Sequence, residues 1–170
     1  MSIHPLKFAV RLRPFFSSSS IALIFSHHPS LKVKSAITLH AITLLSNIIA
    51  LREASIEGKD DVIFCIKGKV TEGATSNVFA VFDNSVLTTP ESNQILSGIT
   101  RKHVLSLLGS KGIETLEKDL SIQNLYEADE VWMTSSTKEI QPVKKIDDKE
   151  LPSKSPKDSL WFDLLSSYLI

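Results

Sequence analysis

The sequence predicts an α/β fold in which a mixed, largely antiparallel sheet carries packed helices, and three observations point there. Between residues 61 and 89, short apolar runs are separated by turn residues at hairpin spacing. Two other stretches, 41 to 58 and 97 to 112, place apolar residues at helical spacing and stop at glycines. At 170 residues the chain is long enough for one domain with a real core and too short for most two-domain enzymes.

Taken in order, residues 1 to 36 form an irregular, truncated or targeting-like segment, and residues 37 to 170 the main domain. The opening "MSIHPLKFAVRLRPFFSSSSIALIFSHH" is basic, serine-rich and free of acids, which suits an organellar transit peptide over residues 1 to 28 and equally an irregular start of a cytoplasmic domain. The cytoplasm is the expected location, an organelle the alternative. "AITLLSNIIALREASIEG" carries Ile42, Leu45, Ile48 and Ile49 toward a stop at Gly58, a helix. "DDVIFCIKGKVTEG" reads as strand, Lys67-Gly68 turn, strand, and "SNVFAVFDNSVLTT" as strand, Asp83-Asn84-Ser85 turn, strand, so residues 61 to 89 predict an antiparallel meander. "SGITRKHVLSLLGSKG" opens a helix near Thr100 and closes it near Gly109 to Gly112. "SIQNLYEAD" is a short helix capped by Ser121, followed by the strand "EVWMTSS" and an extended "EIQPVKKIDD" that turns at Asp147-Asp148. A terminal helix covers about residues 158 to 169, with Trp161, like Trp132, read as a packing residue.

Charge and cysteine content narrow the classes of function. The 19 basic and 19 acidic residues balance, and Lys144-Lys145 sits in a mixed, solvated surface, so nothing asks for a nucleic-acid partner or an anionic membrane. The balance is uneven along the chain, with no Asp or Glu before Glu53. "SIALIF" and "AITLLSNIIAL" fall well under the ~20 residues of a membrane span, which predicts a soluble protein. Cys65, the one cysteine, lies among Ile63, Phe64 and Ile66 as a buried thiol, and no CxxC or His-x-x-x-His pattern offers a metal site. His103 reads as a helix-surface residue and His27-His28 as part of a turn before Pro29.

Three polar loops stand out. In "KVTEGATSNVF", Glu72 sits among Thr71, Thr75, Ser76 and Asn77 with Val70, Val78 and Phe79 on either side, and a carboxylate drawn toward a core asks for a donor or a cation. Gly98-Ile99-Thr100 lies at a helix start, where free N–H groups and the dipole favour an anion such as a phosphate. Ser135-Ser136-Thr137 follows a strand and can form another anion nest. Each alone has a structural explanation; their order and wording together carry more.

"VTEGATSNVF", "ILSGITR" and "YEADEVWMTSSTKEIQPV" resemble the three signature blocks of the class IV pyridoxal-phosphate aminotransferases, nearest in wording to D-amino-acid aminotransferase, with the branched-chain aminotransferases and aminodeoxychorismate lyase as relatives. The resemblance covers about Lys34 to Lys149 and implies the fold of the large domain of fold-type IV enzymes. It implies pyridoxal 5′-phosphate as cofactor, with Glu72 on the pyridine nitrogen, Leu96 on the ring face and Ile99 and Thr100 at the 5′-phosphate. Thr75 and Ser76 would line the cofactor, and Ser136 and Thr137 would lie by the phosphate and substrate. Amino acids and 2-oxo acids are the implied small-molecule partners, and a homodimer the implied assembly.

The lysine that links the cofactor covalently is where this sequence departs from the family. It precedes a helix of the type "KS-x-N-LL-x-N-VLA-x-x-EA", recognisable here as "HAITLLSNIIALREA", and alignment without gaps from Glu53-Ala54 and from Glu72 puts His40 at its position. An imidazole has no primary amine for that link, although it can act as a base. Lys34, in "KVKSA", is the one candidate to take that lysine's place, through a Lys-Ser pair like the family's, and would need a six-residue shift. The residues before this segment are also too few for the family's smaller amino-terminal domain, and "VRLR" is a poor claimant to its phosphate-binding arginine. Two functions therefore stand side by side: transamination of the D-amino-acid type, and a catalytically dead paralogue or truncated product that keeps the fold. An aminodeoxychorismate lyase-like enzyme is the further alternative.

Overall fold

A computed structural model describes residues 9–14, 36–83, 85–92, 95–152 and 154–168. The described strands form two five-stranded mixed sheets rather than one. The first has the order β10-β9-β1-β2-β3, built from β1 (Ala9–Pro14), β2 (Asp61–Ile66), β3 (Lys69–Gly73), β9 (Lys145–Ile146) and β10 (Lys149–Glu150). The second has the order β6-β5-β4-β7-β8, from β4 (Asn77–Phe82), β5 (Ser85–Thr88), β6 (Glu114–Glu117), β7 (Glu130–Ser135) and β8 (Glu139–Pro142). Most pairings are antiparallel; β1 with β2, β1 with β9 and β5 with β6 are parallel.

The expected meander of residues 61 to 89 is thus two hairpins in two sheets. β2 pairs with β3 and β4 with β5, but β3 and β4 do not pair, because a tight turn in which the Gly73 N–H donates to Ser76 O at 2.7 Å swings the chain across. The alternation of side chains is the same whether the next strand pairs beside the last or across the core. Lys67 and Gly68 at the first hairpin and Asp83 at the second have positive φ, as primed hairpin turns require. The strand β1 lies within the segment expected to be irregular. Its Arg11 and Arg13 pair with Glu57, Asp147 and Glu53 at 3.0 to 3.4 Å, so both are engaged in holding the first sheet to the end of the following helix.

Three apolar clusters fill the spaces between layers. Val10, Ile63, Val70, Val78, Ala80, Val131, Met133 and Ile146 lie between the two sheets, joined by Leu125 of the short helix α3 (Ile122–Glu127). The outer face of the second sheet, with Phe79, Val81 and Trp132, packs on Val104 and Leu108 of α2 (Ile99–Ser110) and Trp161 and Leu164 of α4 (Leu160–Tyr168). On the outer face of the first sheet, Val62, Phe64 and Ala74 meet Ala54 of α1 (Ala36–Ile56). Strands buried on both faces explain why β2 and β4 read as near-continuous apolar runs.

The helices end where the sequence places them. Ser121 caps α3 through a reciprocal box with Asn124, and Gly58 and Gly112 follow α1 and α2 in the left-handed conformation that glycine adopts freely. Cys65 is buried, and burial pushes its thiol up to about 11. Among the described residues no helix is long and apolar enough to cross a membrane, and no cluster of three metal-binding side chains occurs.

Candidate functional site

The chain crosses from one sheet to the other at residues 73 to 77, and the polar loops singled out in the sequence converge around that crossing. Between Ile63 and Cys65 two steps along β2 span three along β3, so β3 carries one extra residue at Thr71–Glu72, a bulge of the kind that re-aims a side chain. Gly73 leaves room for its neighbours: a Cβ there would fall 2.1 Å from Ser76 Oγ and 2.4 Å from Met133 Cε, so both side chains would have to move. The crossing is also pinned from α1, where Asn47 Nδ2 donates to Ala74 O at 2.6 Å.

Glu72 is half-buried at the end of β3, and its Oε2 accepts the Leu96 N–H at 2.8 Å. Burial holds its pKa above the ordinary 4.5, opposed by that one hydrogen bond. No lysine or arginine pairs with it among the described residues. The carboxylate is therefore positioned at one oxygen and poorly compensated in charge, which suits the binding of a protonated nitrogen.

Asn77, the first residue of β4, donates from Nδ2 to Leu96 O at 2.8 Å. Leu96 is thus gripped on both sides of its own α-carbon while its side chain is 69% exposed, unusual for a leucine held so firmly. Gly98 then opens α2 with no side-chain cap and no acid in the first turn, leaving N–H groups free for an anion. Thr100 is buried there and Ile99 is 87% exposed. Arg101, fully buried, donates to Thr89 O at 3.0 Å and to Glu117 at 2.7 Å, which anchors the start of the helix to the end of β6.

The third loop closes the arrangement. Asn77 pairs across the sheet with Thr134, so Ser135 to Lys138 leave β7 beside it. Ser135 Oγ lies 3.3 Å from Thr137 Oγ1 and accepts the Lys138 N–H at 3.1 Å, while Ser136 and Thr137 are exposed. Lys138 pairs at 2.8 Å with the fully buried Asp61, tying this loop to the start of β2. Ser76 Oγ and Thr134 Oγ1 are buried without hydrogen-bond partners among the described residues, a state that a polar ligand would relieve.

Glu72 touches Leu96 directly, Ile99 and Thr100 follow Leu96 at the start of α2, Ser76 is buried and Thr75 exposed in the crossing turn, and Ser136 and Thr137 are exposed on the adjoining loop. Lys34 lies outside the described residues, as does the side chain of His40, whose backbone is in α1. Sequence reasoning assigned nothing to Asn77, Arg101 or Thr134, although all three stand inside the quoted blocks. An arginine two residues into a helix and an asparagine opening an apolar strand were the available signals.

The donor set fits pyridoxal phosphate: a carboxylate raised by burial, an exposed leucine flank, an uncapped helix start and unsatisfied hydroxyls. The family model for amino-transferase class IV matches residues 9–146. The chain is 36% identical over 118 residues to a D-alanine aminotransferase of Bacillus licheniformis, covering 69% of this chain and 42% of that protein. It is 38% identical over 104 residues to the branched-chain-amino-acid aminotransferase of Escherichia coli K12, covering 61% and 34%. Among solved structures, a branched-chain aminotransferase from Thermoproteus uzoniensis with norvaline superposes with a TM-score of 0.74 at 29% identity, over 95% of this chain and 50% of that one. An aminotransferase from Brucella abortus bound to the cofactor PLP gives 0.73 at 27%, over 98% and 55%. The chain thus spans less than half the length of these curated relatives.

Proposed function

The chain belongs to the class IV aminotransferase family, and from that premise we propose that it holds pyridoxal 5′-phosphate reversibly in a site of the D-amino-acid transaminase type without carrying out transamination as it stands. Glu72 would take the pyridine nitrogen, Leu96 the ring face, and the Ile99 and Thr100 N–H groups with the Thr100, Ser136 and Thr137 hydroxyls the phosphate. Thr75 and Ser76 would line the remaining wall. The bound cofactor supplies an electron sink for the α-carbon of an amino acid. Glu72 serves that role by keeping the pyridine nitrogen protonated, and its half-buried, singly bonded carboxylate is the observation that carries the proposal.

The reaction that this site type serves moves an amino group from a D-amino acid to a 2-oxo acid. The wording of the three blocks and the D-alanine aminotransferase relatives support that substrate class. The branched-chain relatives make branched-chain amino acids the competing one. Absence of turnover follows from His40, which has no primary amine to form the covalent link. A homodimer and a cytoplasmic location belong to the same proposal. The first is supported by the exposed apolar residues of α1 and the second by the buried free thiol of Cys65.

Borohydride treatment of the chain with pyridoxal phosphate, followed by mass spectrometry, tests the reading. We expect saturable binding lost on dialysis, no site-specific adduct, and no turnover of D-alanine or leucine with 2-oxoglutarate. His40→Lys should create a trappable adduct at residue 40. An adduct on Lys34 in the unaltered chain would overturn the assignment of His40 and revive the active-enzyme reading, and no binding at all would remove the cofactor. Light scattering that shows a monomer at high concentration would remove the dimer. A fluorescent fusion of residues 1 to 28 that enters an organelle would remove the cytoplasmic location.

A further inference from the structure

The three parts of the proposed cofactor site lie on separate elements, and one side chain touches the junction between them. Glu72 ends a strand of the first sheet, Leu96 lies in a loop, and Gly98 opens α2. Asn77, buried at the first position of β4, donates to Leu96 O at 2.8 Å, and its Oδ1 lies 2.5 Å from where a Cβ on Gly98 would stand. Gly98 has φ −65° and ψ 145°, which any residue adopts, so it is Asn77 and not backbone strain that calls for glycine here. The Leu96 N–H, on the other side of the same residue, is the hydrogen bond that orients Glu72.

We propose that Asn77 is the positioning residue of this site: by holding the Leu96 carbonyl and abutting Gly98, it fixes the spacing between the Glu72 carboxylate, the Leu96 flank and the first turn of α2. The spacing matters because the pyridine ring and the phosphate are joined by one short methylene–oxygen arm, and a site that recognises both ends must present them within its reach. Free rotation of the 95–98 loop would leave each end competent and the pair out of step. This inference rests on the cofactor reading above, so its test includes a measurement on the empty protein.

Asn77→Ser removes the donor and opens the space beside Gly98. In the empty protein, hydrogen exchange of the Leu96 amide should speed up about tenfold, the loss of one hydrogen bond's restraint. Pyridoxal phosphate affinity should fall about five- to tenfold, while inorganic phosphate, which needs only the helix start, should change by less than about twofold. Gly98→Ala should weaken pyridoxal phosphate binding in the unaltered chain and add nothing in the Asn77→Ser background, where the clash is gone. Should Asn77→Ser not fold, Gly98→Ala alone must still speed Leu96 exchange. Unchanged Leu96 exchange in both variants would overturn the proposal, as would equal losses for pyridoxal phosphate and inorganic phosphate. An unaltered chain that fails to bind pyridoxal phosphate would sink the cofactor reading, while the Leu96 exchange would still decide the clamp.

Discussion

Helices α1 and α2 each lie on the outer face of one sheet, yet the two faces are used differently. α2 buries Val104 and Leu108 against Phe79 and Trp132 and is backed by α4 through Trp161 and Leu164. α1 meets its sheet mainly through Ala50, Leu51 and Ala54 against Val62, Phe64 and Ala74, and turns Leu44, Leu45, Ile48, Ile49 and Ile56 to the exterior. The second half of the molecule is thus held by large apolar contacts of its own. The first places its helix with a smaller apolar contact and with polar ties such as Asn47 to Ala74 O at 2.6 Å and Arg13 to Glu53 at 3.4 Å. That helix carries His40, so among the described residues the element expected to hold the reactive residue has less apolar anchoring than α2.

The largest expected effect separates the two halves directly. Leu164→Ala leaves a cavity in the well-filled α2–α4 layer and should cost about 2–5 kcal/mol in urea unfolding. Ile48→Ala, on the exposed face of α1, should change the monomer's stability by no more than about 0.5 kcal/mol. Equal losses would break the comparison and mean that the α1 face is covered in solution, as the proposed dimer would require.

A middle-sized effect tests how α4 is attached. Glu130 is buried in β7, where its carboxylate accepts Trp132 Nε1 at 3.0 Å, Leu160 N–H at 2.9 Å and Trp161 N–H at 3.2 Å, a charge at the positive end of the helix. Glu130→Gln turns part of that acceptor into a donor facing N–H groups and should cost about 1–3 kcal/mol, with faster amide exchange in α4 and none of it passed to α1. Exchange that rises equally in both helices would show that the halves unfold as one unit.

Much of this arrangement was legible in the sequence because local chemistry decides it. The Lys67-Gly68 turn, the Ser121 cap and the stop at Gly58 each depend on a few neighbouring residues, and each stands where expected. The single meander did not survive, since the pairing of β3 and β4 depends on which side of the core the chain takes at Gly73, and alternation is blind to that choice. β1 and β6 were missed for a related reason: each pairs in parallel with a strand distant in sequence, so no hairpin turn announces it. Within the candidate site, Glu72 and Thr100 stand out by their wording alone. The roles of Asn77 and Arg101 are visible only once residues 89, 96, 98 and 117 come beside them.

The smallest effect lies at the seam between the halves and has a sign that depends on pH. Burial raises the Glu72 pKa above its ordinary 4.5, so between the unfolded and folded values the native chain holds more protons than the unfolded one. Stability of the empty protein is therefore fully kept below the unfolded value, declines as pH rises through the raised folded value, and stays lower above it. Glu72→Gln has no such proton to lose. Relative to the unaltered chain it should be level or slightly less stable near about pH 4, where the acid is neutral, and should gain on it toward about pH 7. Pyridoxal phosphate should reverse the order, because a protonated pyridine nitrogen compensates the carboxylate and gives the unaltered chain a stabilisation that the glutamine cannot match. Thermal unfolding of both proteins at the two pH values, with and without cofactor, checks this. A glutamine variant that loses ground as pH rises in the empty state would mean that Glu72 is already paired at the seam and is not waiting for a ligand.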